Sequence, residues 1–220
     1  MKFTVNYIEE TIARTEYAPI KRLDKHTLSK ERKAELHQVE DIVSFGGEVI
    51  YLFDELVHMY EALPSQKKYV NAGVNKMLKY MTDFEPDIEV TTVMVEGCKL
   101  RLTRTYMSRL VELHLQAVIR EELPNFKHIE YMYVDSVMGV DLVLEDDQKR
   151  YYVHVTSNTP QAKAMLKNKE STGGLSVNRT YVPYSRDFDG DLILKYETSQ
   201  ASTSTKFING FPLFDTDYVA

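Results

Sequence analysis

A single cysteine, Cys98, in 220 residues leaves no internal disulfide to form, which suits a reducing compartment. No apolar stretch approaches the roughly 20 residues that a membrane-spanning helix needs. The first residues, MKFTVNYIEETIART, carry acids where a secretory leader needs an uninterrupted apolar core. The expectation is a cytoplasmic chain with no membrane association. Low-complexity tracts and repeats at solenoid spacing are missing, which argues against an array. A net charge of −6 argues against coating nucleic acid by bulk charge. It leaves a nuclease open, because a metal site gathers carboxylates while the DNA-facing surface can be locally basic. Zinc-finger, basic-zipper and Gly-rich phosphate-loop patterns do not occur. Thiol catalysis by Cys98 is disfavoured, since VEGCK reads as a hairpin turn with nothing nearby to activate the thiol.

What is present is a chain of 43% hydrophobic residues, enough for one large domain with a helical annex. From about Leu28 to Leu63, Leu36, Val39, Val43, Ile50, Phe53, Leu56, Val57 and Tyr60 recur at three- and four-residue steps. That is the apolar stripe of a helix, ended by Pro64 and open to a bend at Gly46-Gly47. A second helix is predicted from about Ser65 to Met81, with Val70, Val74, Met77, Leu78 and Met81 on one face, before DFEPD breaks the pattern. His26, His37 and His58 read as surface or packing residues. His37 and Asp41 have a spacing that could share a metal, but chance supplies it often. Residues 1–87 form the predicted N-terminal helical region, with a homodimer through these helices as the expected assembly.

From Ile88 the period changes to two, and IEVTTVMVEGCKLRLTR reads as a hairpin turning at Glu96-Gly97. TYMSRLVELHLQAVIREELP is an amphipathic helix on Leu110, Leu113, Ala117, Val118 and Leu123, closed by Pro124. Three strands follow, HIEYMYV, VDLVLE and RYYVHVT, joined by turn-rich DSVMG and DDQK. TPQAKAMLKNKE is helical, with Thr159 as cap and Pro160 in the first helical position. VNRTYVPY and DLILKY are the next candidate strands, STSTK a loop, and the C-terminal tail is expected to be irregular. The three strands suit a meander, and the later helix can cross over to a parallel neighbour. The expected fold is α/β (α+β), a mixed central sheet flanked by helices within residues 88–220.

Chemistry concentrates on this sheet. Asp141 heads the second strand in GVDLVLE, a charge among strand residues that are costly neighbours for an unpaired carboxylate. His154 and Thr156 lie on the third strand in YYVHVTSNT, two apart and so facing one way. Glu112 lies on the preceding helix. Competing structural readings are a turn cap for Asp141, a core histidine for His154 and a solvated Glu112. The order from Thr105 to about Tyr196, with Asp141 thirteen positions before His154, resembles the αβββαβ core of PD-(D/E)XK, restriction-endonuclease-like nucleases. In that family a helix Glu, an Asp at the head of the second strand and an acid-x-Lys pair on the third build the site. The resemblance implies a metal-dependent nuclease acting on phosphodiester bonds of DNA, with a divalent cation, Mg2+ or Mn2+. It assigns Asp141 and His154 to the cation and Glu112 to a water of the metal.

Departures from the family pattern accompany the match. Histidine stands for the acid, a softer ligand than Mg2+ prefers, and Thr156 stands for the lysine. Lys163 or Lys167, on the following helix, could supply the missing cation, with Lys163 nearer the strand end. Two basic stretches offer nucleic-acid contacts. Lys99, Arg101, Arg104, Arg109, Arg120 and Lys127 make the first, and Lys163, Lys167, Lys169 and Arg179 the second, beside Ser157, Asn158 and Thr159. The fifteen tyrosines read as strand packing rather than base stacking. The alternative is a catalytically inactive nuclease-fold protein that acts as a nucleic-acid-binding or protein-interaction module.

Overall fold

The computed structural model describes residues 3–15, 30–31, 52–129, 141–147, 149–160, 162–164, 188–197 and 201–219. Its helices are α1 (Val5–Arg14), α2 (Leu52–Tyr60), α3 (Gln66–Phe84), α4 (Thr92–Glu122) and α5 (Thr216–Val219). Its strands are β1 (Lys127–Ile129), β2 (Leu142–Glu145), β3 (Arg150–Ser157), β4 (Phe188–Tyr196), β5 (Thr205–Ile208) and β6 (Phe211–Phe214). The chain is therefore α+β with a mixed sheet. It divides into two compact units, one of residues 14–110 with Met1, the other of residues 2–13 and 111–220. The division falls within α4, between Leu110 and Val111, whereas the loss of helical periodicity had suggested 87/88. Residues 32–50, with Gly46-Gly47, His37 and Asp41, lie outside the described residues, as does His26.

The described part of the first unit is helical. Ser65 caps α3 where expected, its hydroxyl accepting the Lys68 N–H. Phe53, Tyr69 and Tyr106 meet as a ring cluster with centroids 5.6–5.8 Å apart. The buried Tyr106 hydroxyl donates to the Pro64 carbonyl at 2.9 Å, so its polar end is satisfied as burial demands. Gly73 of α3 packs closely on Leu102: a Cβ there would stand 2.6 Å from Leu102 Cδ1, so that side chain would have to shift.

The expected hairpin is a correction. Thr92–Arg104 forms the first turns of α4, capped by the Thr91 hydroxyl, which accepts the Met94 N–H at 3.2 Å. Met94, Cys98, Leu102, Tyr106 and Leu110 are buried at four-residue steps, a stripe that runs along one side of this helix. The threonines that raise strand propensity are accommodated by donating back into the helix, Thr103 to the Lys99 carbonyl and Thr105 to that of Arg101. Cys98 is thus a buried helix residue, and burial pushes its thiol up to about 11.

The second unit holds the sheet, in the order β1-β2-β3-β4. Neighbours are antiparallel, antiparallel and then parallel, which is the expected meander followed by a crossover. Tyr152, Val153 and His154 are consecutive and buried, so both faces of β3 are covered. The tail is ordered, not irregular as expected. Asn209-Gly210, with φ of 52° and 74°, turns β5 into β6 as a two-residue hairpin does. Phe211, Leu213 and Phe214 are then fully buried. Helix α1, not foreseen, buries Val5, Ile8 and Ile12 in the same unit. Among the described residues no helix is long and apolar enough to cross a membrane.

Candidate functional site

Strand directions bring the polar residues to one end of the sheet. β3 and β4 are parallel, with Ser157 opposite Tyr196 at their carboxyl ends. β2 runs antiparallel to β3, so its head, Asp141, lies at that same end. Ligands of open α/β sheets favour the carboxyl ends of parallel strands.

Asp141 is tied to β3 twice. Its N–H donates to the Val153 carbonyl at 3.0 Å, and its Oδ2 accepts the Val155 N–H at 2.5 Å. The carboxylate thus takes an N–H that a continuing strand would give to a main-chain carbonyl, and it flanks His154 from the neighbouring strand. Part of its role is structural, a tie between two strands rather than a turn cap. The charge also reaches further. The Tyr196 phenol is pushed up to about 12, first by burial, then by the negative charges of Glu112 and Asp141.

His154 and Thr156 stand differently. His154 is 3% exposed in the middle of β3, opposite Ile193 of β4. Side chains alternate along a strand, so His154 and Thr156 take the face opposite to that of Val155 and Ser157. Tyr196, partner of Ser157, shares the latter face. His154 and Tyr196 therefore take opposite faces of the sheet.

Beyond Ser157 the chain is fixed by local bonds. The Asn158 N–H donates to the Tyr196 carbonyl at 2.8 Å, and its side-chain amide to Glu197 Oε1 at 2.5 Å. Thr159 caps the helical turn that begins at Pro160, accepting the Ala162 N–H at 3.2 Å, and its hydroxyl lies 3.2 Å from that of Ser157. Lys163 is exposed in this turn. Lys167, Lys169 and Arg179 lie outside the described residues. Arg104 and Arg109 fall in the first unit, where Arg109 Nη2 reaches both oxygens of Asp54 at 3.1 and 2.9 Å. Arg120, in the second unit, is turned to the Phe3 carbonyl at 3.0 Å.

Among the described residues no group of three or more His, Cys, Asp or Glu side chains is arranged to hold a metal ion. A hard cation such as Mg2+ asks less of the protein, one or two carboxylates completed by water and substrate phosphate. Asp141 is a carboxylate of the kind such a cation takes, whereas a histidine nitrogen suits softer metals.

Two groups escaped the sequence reading. Tyr196 is reached through pairing between distant strands, which DLILKY alone does not reveal. Buried His114 of α4 bonds through Nε2 to Glu9 Oε1 of α1 at 2.8 Å, and the same oxygen takes Lys206 Nζ of β5 at 2.6 Å. Comparison with protein families, with curated proteins and with solved structures finds no match to the chain.

Proposed function

We propose that the second unit is a restriction-endonuclease-like core that hydrolyses phosphodiester bonds in DNA with a divalent cation, Mg2+ or Mn2+. The observation that carries this reading is Asp141 at the head of β2, its carboxylate accepting the Val155 N–H at the carboxyl half of β3. The element order supports it too, since a helix is followed by three antiparallel strands and a fourth parallel to the third. In this reading Asp141 binds the cation and Glu112 accepts a hydrogen bond from a water beside it. Lys163 approaches from the exposed turn after Thr159 to orient the attacking water. When bound, the cation supplies charge stabilisation at the phosphate and acidifies water.

A second reading has its own observation. Neither alternate pair at the end of β3, His154 with Thr156 or Val155 with Ser157, contains a carboxylate or a lysine. That favours a nuclease-fold module that binds nucleic acid without cutting it. Cleavage of duplex, single-stranded and branched DNA should be assayed with Mg2+ and with Mn2+. The first reading expects cutting that Asp141→Asn abolishes. Binding with no cutting on any of these substrates would replace it with the second.

A further inference from the structure

The β5–β6 turn carries a pair of residues with covalent chemistry of its own. Asn209 and Gly210 are both exposed, and the space around Gly210 is open, since a Cβ built there would meet nothing within 4 Å. An asparagine amide beside a glycine is open to attack by the glycine's main-chain nitrogen, because no side chain crowds the approach. The Asn209 amide also has a structural task, donating from Nδ2 to the Ile12 carbonyl of α1 at 3.2 Å. We propose that Asn209 is a deamidation site gated by α1, its conversion to aspartate releasing the end of that helix from the hairpin.

The steps balance with water alone. The Gly210 nitrogen bonds to Asn209 Cγ, the Cγ–Nδ2 bond breaks, and ammonia leaves with the proton given up by the Gly210 N–H. The cyclic imide then takes up water and opens to aspartate or isoaspartate. Two restraints hold the reaction back in the closed structure. Ile208 and Phe211 pair across the turn and fix Asn209 at a φ of 52°, and the amide is engaged by Ile12. Attack therefore belongs to the opened turn, whose population rises when α1 lets go. The product cannot restore the tie. A carboxylate has no hydrogen to give the Ile12 carbonyl, and isoaspartate adds a main-chain atom to a two-residue turn. Release is thus one-way. Upstream, α1 stays held by Glu9 on His114 and by Glu121, whose Oε1 accepts the Val5 N–H at 2.9 Å, so its carboxyl end loosens first.

Cleavage after Lys206 frees residues 207–220, in which Asn209 is the only amide side chain, so the mass of that peptide reports the reaction directly. The full chain, held at mildly alkaline pH, should gain the mass of amide-to-acid exchange more slowly than the same chain unfolded in guanidinium chloride. Glu9→Ala, which loosens α1, should speed the gain by about fivefold or more, the factor expected when a buried hydrogen bond is lost. Asn209→Asp should lower hydrogen-exchange protection around Ile12 by a similar factor, while protection of β2 and β3 stays at the wild-type level. A folded chain that gains no mass while the unfolded chain converts would overturn the proposal, as would equal rates in Glu9→Ala and wild type. Unchanged protection around Ile12 in Asn209→Asp would overturn the release of the helix.

Discussion

Glu9 is the point at which α1, α4 and β5 are joined, and its removal has a calculable cost. A single oxygen, Oε1, accepts from His114 Nε2 at 2.8 Å and from Lys206 Nζ at 2.6 Å. The His114 side chain is fully buried, while those of Glu9 and Lys206 are 21% and 29% exposed. Glu9→Ala strands the His114 N–H without an acceptor, at about 1–3 kcal/mol. The lost pairing to half-exposed Lys206 adds about 0–1 kcal/mol. Glu9→Gln keeps an acceptor for the imidazole and loses the charge alone, so it should cost about 1 kcal/mol or less. For a chain of this size Glu9→Ala should melt about 5–10 °C below wild type. Because two compact units share the chain, hydrogen exchange of residues 5–14 is a better probe than a global melt. Equal loss of protection in Glu9→Ala and Glu9→Gln would refute the reasoning.

The same joint sets an acid limit. Burial lowers His114 below its ordinary 6.5, outweighing the hydrogen bond and charge of Glu9. With Nε2–H given to Glu9, a second proton would sit on Nδ1, which is buried without a partner. Glu9 is lowered as well: burial would raise it, but the hydrogen bonds of Lys206 and His114 outweigh burial. Both groups bind protons more readily in the unfolded chain, so both stabilise the fold at high pH. The His114 contribution is complete above 6.5 and is lost as pH falls through its lowered folded value; that of Glu9 is lost below 4.5. Protection of α1 should therefore begin to decline just below pH 6.5. In His114→Gln the decline should start only near the carboxylate range.

Three substitutions test other joints. Asp141→Ala leaves the Val155 N–H without its acceptor and should cost about 1–3 kcal/mol, whereas Asp141→Asn should fold nearly as well; both should abolish cleavage, and denaturant titration beside the DNA assay separates the two effects. Gly73→Val puts a branched side chain where even a Cβ meets Leu102 at 2.6 Å, and should cost about 2–3 kcal/mol by overpacking, read as loss of helical signal on heating. Lys163→Ala, on an exposed turn, should remove cleavage while leaving circular dichroism and Mn2+ affinity unchanged; full activity would move its role to another basic residue.

Local signals were legible wherever one period dominated. Ser65 before a clean three-four stripe predicted α3 to within a few residues, and the short apolar strands with turn formers between them predicted the antiparallel meander. Residues 90–104 satisfied two periods at once, and the threonines, valines and Gly97 tipped the reading toward a hairpin. What decided the outcome was burial at 94, 98, 102 and 106 in step with the helix downstream, a tertiary preference that overrides propensity. Asn209-Gly210 is a strong hairpin signal beside STSTK, whose Ser/Thr-rich composition is that of a loop. Helix α1 has its cap in plain view, Thr4 accepting the Tyr7 N–H, but ten residues gain their stability from the surface they cover, which no local pattern displays.

The site was legible in part because one carboxylate was tied to strand order and the rest depended on parity. Asp141 needed nothing more than its position at the head of β2. Which residues of β3 face the partners of Asp141 depends on β4, and β4 does not pair evenly. Arg150 stands opposite Phe188, but Tyr152 stands opposite Asp191; β4 holds one residue more than β3 over that interval. A bulge of this kind moves every later side chain to the other face. Without it Tyr196 would fall on the side of His154 and Thr156, the side that the motif spacing singled out. With it Tyr196 falls on the face of Ser157. The sequence offers Gly190 in DFDGD as a hint of irregularity, but a glycine does not announce the direction of a one-residue slip. A motif read along one strand therefore names an end of the sheet, while the face each side chain takes is decided by the neighbouring strand.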